Sequence, residues 1–195
     1  MYAYLKGKFT FKNPAQVYVD INGVGYEVNI SLNTYSSIQN LEEGKLYTYL
    51  QIKEDGHSIF GFFDKMEKEL FILLIGVSGV GASTARMMLS SMHPDEINKA
   101  IAQGNVKQLE SVKGIGKKTA ERLVLELKDK IVKISGNTST FPAMQVNSLQ
   151  QDIINALMSL GISKNMADSS VQKIMANEPN NTNLEELIKK ALKEI

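Results

Sequence analysis

Two glycine pairs, each followed by a helical pattern, are the parts of this 195-residue chain whose residue types and spacing could do chemistry. Gly114 and Gly116 lie one residue apart, and because only glycine takes positive φ without steric cost, the pair predicts a tight turn. Apolar residues at helical spacing follow, from Ala120 to Leu127. A turn that opens a helix leaves backbone N–H groups at the positive end of the helix dipole. Such an end binds anions, most commonly phosphate.

Side chains beside this pair support the interpretation. Lys117, Lys118 and Thr119 place two cations and a hydroxyl in the first helical turn. Cations at this end of a helix oppose the dipole and do not stabilise it, so a bound phosphate accounts for them better.

The same pattern occurs earlier in the chain. Residues 74–85 (LIGVSGVGASTA) match residues 109–120 (LESVKGIGKKTA) at a constant step of 35 residues (114 − 79). The two units resemble the tandem helix-hairpin-helix module of DNA-binding proteins. In that family the hairpin amides hold the sugar-phosphate backbone of duplex DNA, a contact that carries no sequence information. The alternative is a pair of core repeats with capping glycines and no DNA contact.

The resemblance implies DNA-backbone contacts from both hairpins and from the helices that follow them. The candidate residues are Gly79, Val80, Gly81, Ser83, Thr84, Arg86, Gly114, Ile115, Gly116, Lys117, Lys118, Thr119 and Arg122.

Two nucleotide-binding motifs are excluded. A Walker A loop needs a lysine that Ala82 replaces near the first pair, and near the second pair Ser111 and Lys118 replace the required Gly and Ser/Thr. A Rossmann turn needs a preceding strand and a third glycine, whereas here helical sequence precedes and threonine occupies that place. We therefore expect no cofactor.

Composition narrows the class of protein. The longest apolar run, Leu70 to Val77, is too short to cross a bilayer, and no signal segment opens the chain. The absence of cysteine excludes disulfides and thiolate metal sites, and we expect a cytoplasmic protein. His57 and His93 are isolated, so no metal site is expected. The net charge is only +1, but cations cluster between Lys113 and Lys133, which favours a localised grip on DNA.

The remaining elements give an α+β fold. Residues 1–63 show five short strands, with Asn22-Gly23 as a hairpin signal, and predict an OB-like barrel, or alternatively an SH3-like one. Residues 64–132 form the helical domain, beginning at Asp64 as N-cap with Glu67 in a capping box, and its last helix ends near Lys130.

The sequence of the C-terminal third predicts a linker and a small helical domain. Residues 133–148 are polar and without period, which is typical of a flexible linker. Residues 149–195 predict three helices, 149–160, 164–176 and 184–192.

This domain order and length resembles the RuvA family along the whole chain, most clearly at residues 114–123 and 22–28, and also at 54–55 and 59–62. Its members are bacterial Holliday-junction-binding subunits of a branch migration machine used in recombination and repair. The resemblance implies a homotetramer, single or doubled, that holds four-way junction DNA open and square. Glu54 and Asp55, at the tip of the last barrel hairpin, would form an acidic pin at its centre; without the resemblance they read as ordinary turn residues.

The resemblance also implies protein partners. The third domain would dock a RuvB-like AAA+ hexamer that hydrolyses ATP, and a RuvC-like resolvase is a further partner. Leu157, Leu160 and Ile162 are the candidate motor contacts, with a core role as the alternative. The first hairpin departs from the family because Ala82-Ser83 stands where Pro-Lys is common, so we expect its grip to rest on backbone amides, Ser83 and Arg86.

Two other functions fit the sequence less well. A helix-hairpin-helix glycosylase needs a Lys or Asp soon after the hairpin, but Asp129 follows too late, and no carboxylates cluster as in a metal nuclease, so we expect no catalysis. A single-strand or RNA binder would interleave aromatic and basic residues on the barrel. The aromatics are there, but cations are sparse beside them: Tyr18, Tyr26, Tyr47 and Tyr49.

Overall fold

The computed structural model describes residues 2–54, 56–136, 145–177 and 183–194, with only the backbone described for 132–136, 145–148 and 177. The chain forms two compact units, Met1–Thr138 and Ser139–Ile195. The predicted barrel and helical domain thus share the first unit. The α+β class is confirmed, and no helix of the described residues is both long and apolar enough to cross a membrane.

A closed five-stranded barrel opens the first unit. Its strands run in the order β1-β2-β3-β5-β4, and β4 pairs back onto β1. All neighbours are antiparallel except β3 and β5, which are parallel, as in an OB-like barrel. The strands are β1 Tyr4–Asn13, β2 Gln16–Ile21, β3 Val24–Ile30, β4 Glu43–Lys53 and β5 Gly56–Phe62.

Alternating apolar side chains explain the barrel. In β2 and β3 every second residue points inward, and Val17, Val19 and Val28 are completely buried. The predicted turn between these strands is confirmed: Asn22 and Gly23 both have positive φ, as a two-residue hairpin requires. A short helix, α1 Leu32–Ile38, then closes one end of the barrel with the buried side chain of Ile38.

The helical part of the first unit has five helices in its described residues. They are α2 Lys65–Ile75, α3 Ala82–Ser91, α4 Pro94–Ala102, α5 Val106–Glu110 and α6 Lys117–Gly136. Their buried faces form one core that extends into the barrel wall, because the Phe71 ring of α2 lies 5.2 Å from Phe60 and 4.9 Å from Phe62 of β5. This packing places α2, the first helix of this part, against the barrel wall.

Glu67 corrects one detail of the sequence interpretation. Asp64 does cap α2, with its side chain accepting from the Met66 N–H, but Glu67 does not complete a capping box. Its carboxylate is buried and accepts hydrogen bonds from Ser31 Oγ and, at 2.6 Å, from Thr34 Oγ1. Glu67 lies in α2, whereas Ser31 caps α1 and Thr34 lies in α1, so these hydrogen bonds join the two helices.

The bounds of the linker also differ from those expected. Helix α6 continues to Gly136, and the next helix begins at Gln145, so both ends of the predicted segment 133–148 are helical. The apolar spacing of Leu127, Ile131 and Ile134 continues the helical period past Lys130, which the polar composition concealed. Residues 137–144 lie outside the described part of the chain.

Three helices make up the second unit: α7 Gln145–Ser159, α8 Lys164–Asn177 and α9 Leu184–Lys193. Ile153, Leu157, Val171 and Leu187 are almost completely buried among them. Ser170 Oγ donates 3.0 Å to the Ala191 carbonyl, which ties α8 to α9.

Glu67 should make the stability of the first unit depend on pH. Burial raises the pKa of its carboxyl above the ordinary 4.5, although the Ser31 and Thr34 hydrogen bonds act the other way. A raised folded pKa gives stability that is present below 4.5 and lost as the pH rises through the folded pKa. In urea denaturation, we expect the unfolding free energy of the wild type, relative to that of Glu67→Gln, to fall as the pH rises from 4.5 through the folded pKa of Glu67. Glu69→Gln, exposed on the same helix, is the control, and a pH-independent difference would contradict the assignment.

Candidate nucleic-acid interface

The two glycine pairs form hairpins of one shape. Val80 N donates 3.0 Å to the Val77 carbonyl, and Ile115 N donates 3.0 Å to the Val112 carbonyl. Gly79 and its counterpart 35 residues later both have φ of +94°, a region that favours glycine. The sequence repeat is therefore a structural repeat.

The apolar residues of each hairpin anchor it in the core. Val77, Val80, Val112 and Ile115 are all no more than 5% exposed. This gives Val80 and Ile115 a different role from the predicted DNA contact, because their side chains are buried and their N–H groups already bond within the hairpin. They hold the shape of the turn.

The glycines supply the outward donors instead. Within the described part of the chain, the N–H groups of Gly79, Gly81, Gly114 and Gly116 make no backbone or side-chain hydrogen bond. Gly81 and Gly116 directly precede α3 and α6, so these donors lie at the positive ends of two helices. Each hairpin can therefore receive an anion such as phosphate.

The hairpins lie side by side and pack on each other reciprocally. A Cβ atom on Gly79 would lie 3.6 Å from Thr119 Oγ1, and one on Gly114 would lie 3.9 Å from Thr84 Cγ2. Each threonine, predicted as a DNA contact, thus covers the glycine of the opposite hairpin. The two sites have a fixed spacing because they share these contacts.

Basic side chains are concentrated at the second hairpin. Lys113, Lys117, Lys118 and Arg122 are exposed, and none of them forms an ion pair with an acid in the described residues. Arg122 reaches the first hairpin, where its Nη1 donates 3.3 Å to Ser78 Oγ. The predicted Ser83 is exposed on α3.

Arg86 lies elsewhere than the sequence suggested. Its Nη1 donates 2.9 Å to Asn29 Oδ1 and 3.1 Å to the Ala15 carbonyl, both of the barrel. The guanidinium therefore ties α3 to the barrel, and in this position it does not supply the cation expected for the first hairpin.

The barrel tyrosines do not form one stacking surface. Tyr49 packs on the Phe71 ring, 5.5 Å away, and Tyr18 packs on another phenylalanine, 4.8 Å away. A cation does lie beside Tyr47, since Lys45 Nζ is 4.5 Å from its ring centroid, so the expected scarcity of cations does not hold at this point. Lys45 and Tyr47 lie two residues apart in β4 and therefore share one face of the strand.

A cleft of about 430 Å³ lies apart from the hairpins, between α1 and the starts of α2 and α4. Its polar lining includes Asn33, Asp64, Glu67 and His93, but none of the predicted site residues. The buried carboxylate there is already hydrogen bonded. Among the described residues, no three His, Asp or Glu side chains gather as metal ligands.

The residues predicted for the acidic pin and for the motor contact differ in their exposure. Glu54 is exposed at the turn between β4 and β5, whereas Asp55 lies outside the described residues. In the second unit Leu157 is completely buried in the core, so the core alternative holds for it. Leu160 is 62% exposed, and Ile162 is partly buried against the same core.

A closed barrel joined to two packed hairpins defines a tandem helix-hairpin-helix protein with an OB-like domain. Three family models match the chain: "RuvA N terminal domain" at residues 1–61, "SAM-like Helix-hairpin-helix tandem" at 71–129 and "RuvA, C-terminal domain" at 148–195.

Curated relatives agree over full length. The chain is 48% identical over 195 residues to a protein of Christiangramia forsetii, with all of both chains covered. It is 46% identical over 197 residues to one of Cytophaga hutchinsonii, with 99% of both covered, and 44% identical over 203 residues to one of Bacteroides fragilis, again with all of both covered. Each is named "Holliday junction branch migration complex subunit RuvA". The chain belongs to the RuvA family, which confirms the resemblance drawn from its sequence.

The hairpin glycines should differ in their effect on stability. Gly114→Ala forces a side chain into φ +94°, which should lower the unfolding free energy by about 1–2 kcal/mol in urea denaturation. Gly116→Ala is the matched control, because its φ is not positive and its Cβ would meet no atom within 4 Å. Equal losses from the two variants would mean that the left-handed turn is not what the first glycine provides.

Proposed function

We propose that this protein binds four-way (Holliday) junction DNA without sequence specificity, holds it open and square, and positions an AAA+ motor for ATP-driven branch migration in recombination and repair. The observation that carries the proposal is the pair of hairpins with outward glycine N–H groups and adjacent cations. The names of the full-length relatives support it.

The chemistry of the hairpins suits a DNA backbone. Two sets of N–H donors at fixed spacing fit phosphate oxygens, and the lysines of α6 add charge-assisted contacts. No base recognition is needed for these contacts, since phosphates position a protein but carry no sequence. Binding of this kind holds any duplex arm.

Self-association would bring several such sites together. Large apolar side chains are exposed on the barrel and at the start of α2, including Val24 at 54%, Ile52 at 68% and Met66 at 46%. In this proposal, self-association covers these side chains, because apolar surface that forms a contiguous patch marks an interaction surface. A homotetramer, single or doubled, would use it and present one pair of hairpins to each arm of a junction.

An acidic tip at the centre would keep the strands apart. Glu54 is exposed at the turn after β4, and Asp55 is the next residue in the sequence; in this proposal four copies of the turn meet on a four-fold axis. A carboxylate near a phosphate raises the energy by about 1–4 kcal/mol per close pair, depending on the local dielectric. Strands crossing the centre would be disfavoured, while the arms stay held by the hairpins.

The second unit would dock the motor. Leu160, Met158 and Met166 expose apolar surface where α7 meets α8, and flexible methionines suit a protein contact. In this proposal a RuvB-like AAA+ hexamer hydrolyses ATP, a RuvC-like resolvase is a further partner, and this chain itself is non-catalytic and cytoplasmic.

The central prediction concerns shape selectivity. In gel-shift titrations at one moderate salt concentration, the wild type should bind a four-way junction more tightly than a linear duplex of the same arm sequence. Replacing Glu54 by Gln and Asp55 by Asn should keep or tighten DNA binding but reduce this preference, because the repulsion at the centre is lost. Glu42→Gln with Glu43→Gln, exposed on the barrel, removes the same charge as a control. Equal wild-type binding to both DNAs would refute the junction-holding function, and unchanged selectivity in the tip variant would refute the pin.

The second unit can be tested separately. Deleting residues 149–195 should leave junction binding intact and abolish stimulation of the motor's helicase activity, measured by strand release. In the full chain, Leu160→Asp should have the same effect, since the side chain is exposed and its change spares the core. Leu192→Asp, 43% exposed on α9, is the matched control. Stimulation that survives the deletion would assign docking to the first unit.

A further inference from the structure

The two hairpins share one backbone shape but differ in charge. Matching positions 35 residues apart carry cations only in the second hairpin: Ser78 against Lys113, Ala82 against Lys117, and Ser83 against Lys118. The first hairpin therefore has no basic side chain of its own in its turn or in the first turn of α3. A phosphate bound at its N–H donors would therefore lack charge compensation from this hairpin's own side chains.

The nearest arginine in the first repeat is engaged elsewhere. Arg86 bonds to Asn29 and to the Ala15 carbonyl of the barrel. Turning it toward the hairpin would break both bonds and leave the partly buried Asn29 amide oxygen without this donor.

A basic side chain of the second repeat reaches the first hairpin. Arg122 belongs to α6, yet its Nη1 lies 3.3 Å from Ser78 Oγ in the first hairpin turn. An arginine has five N–H donors, so one bond to a hydroxyl leaves others for a phosphate. The position that matches it in the first repeat is Met87, which carries no charge and is 44% exposed.

We infer that Arg122 is the cation of the first hairpin, positioned there by Ser78, while Lys117 and Lys118 serve the second hairpin. The inference rests on the proposed DNA binding and adds a division of labour to it. Each hairpin then holds a phosphate with both N–H donors and a positive charge, although one repeat supplies charge to both.

A rescue experiment tests this assignment. Arg122→Gln and Lys118→Gln should each weaken junction binding about tenfold or more, in line with the loss of a charged hydrogen bond. Ser83→Lys places a lysine in the first hairpin at the position equivalent to Lys118. It should restore most of the affinity lost in Arg122→Gln and little of that lost in Lys118→Gln. All three positions are exposed, and equal thermal midpoints would verify that the variants fold alike.

Salt dependence separates charge from structure. Loss of one phosphate contact should lower the slope of log K against log salt by about 0.9 for each bound copy, and Ser83→Lys should return it in the Arg122→Gln background. Ser78→Ala should weaken binding in the wild type but add nothing in Arg122→Gln, because its effect acts through that arginine.

Three results would overturn the inference. Arg122→Gln could bind as the wild type does, Ser83→Lys could rescue both glutamine variants equally, or Ser78→Ala could act independently of Arg122. The first two would show that charge at this surface is not tied to one hairpin, and the third that Ser78 does not position the arginine. If the wild type shows no preference for the junction over the duplex but the rescue pattern holds on both, the junction-specific function fails while this assignment stands.

Discussion

The buried carboxylate of Glu67 is the constraint on which the arrangement of the first unit depends. It accepts from Ser31 and Thr34 on the barrel side, and Thr34 Oγ1 in turn accepts from the Phe63 N–H, just before α2 begins. Removing a carboxylate from water is costly, and the hydrogen bonds from Ser31 and Thr34 offset part of that cost. These hydrogen bonds join the start of α2 to α1 and so help to set the direction in which α2 leaves the barrel.

That direction determines where the hairpins lie. Helix α2 runs into the first hairpin, and the core formed by residues such as Phe71 and Leu74 continues from the barrel wall beneath it. Arg86 adds a second tie between α3 and the barrel. The second hairpin is then held against the first by packing of its Thr119. Binding groups on rigid elements keep their geometry without a ligand, which lowers the entropy lost when DNA is bound.

The sequence predicts what depends on local pattern and misses what depends on distant partners. Strand alternation, the Asn22-Gly23 turn and the step of 35 residues all follow from neighbouring residues, and the structure confirms them. Glu67 read as a capping residue because its partners are 33 and 36 residues away. The partners of Arg86 are 57 and 71 residues away, and the hydroxyl that receives Arg122 is 44 away. The spacing of apolar residues along the chain does not predict side-chain contacts between positions so far apart. Leu157 was ambiguous for a related reason, since a helical pattern shows an apolar face without showing what covers it.

The reciprocal contacts between the hairpins have a consequence for how a duplex is held. Contacts in which each partner repeats the other's role are the signature of an approximate two-fold axis, here within one chain. A duplex has local dyads of its own, because its strands are antiparallel. On the proposed function, the module can assign one hairpin to each strand of an arm. The hairpins are not identical in charge, however: one is framed by the lysines of α6 and the other by Ser78 and an arginine. The same module would then be indifferent to base sequence, yet it would present different charged side chains to the two strands of an arm.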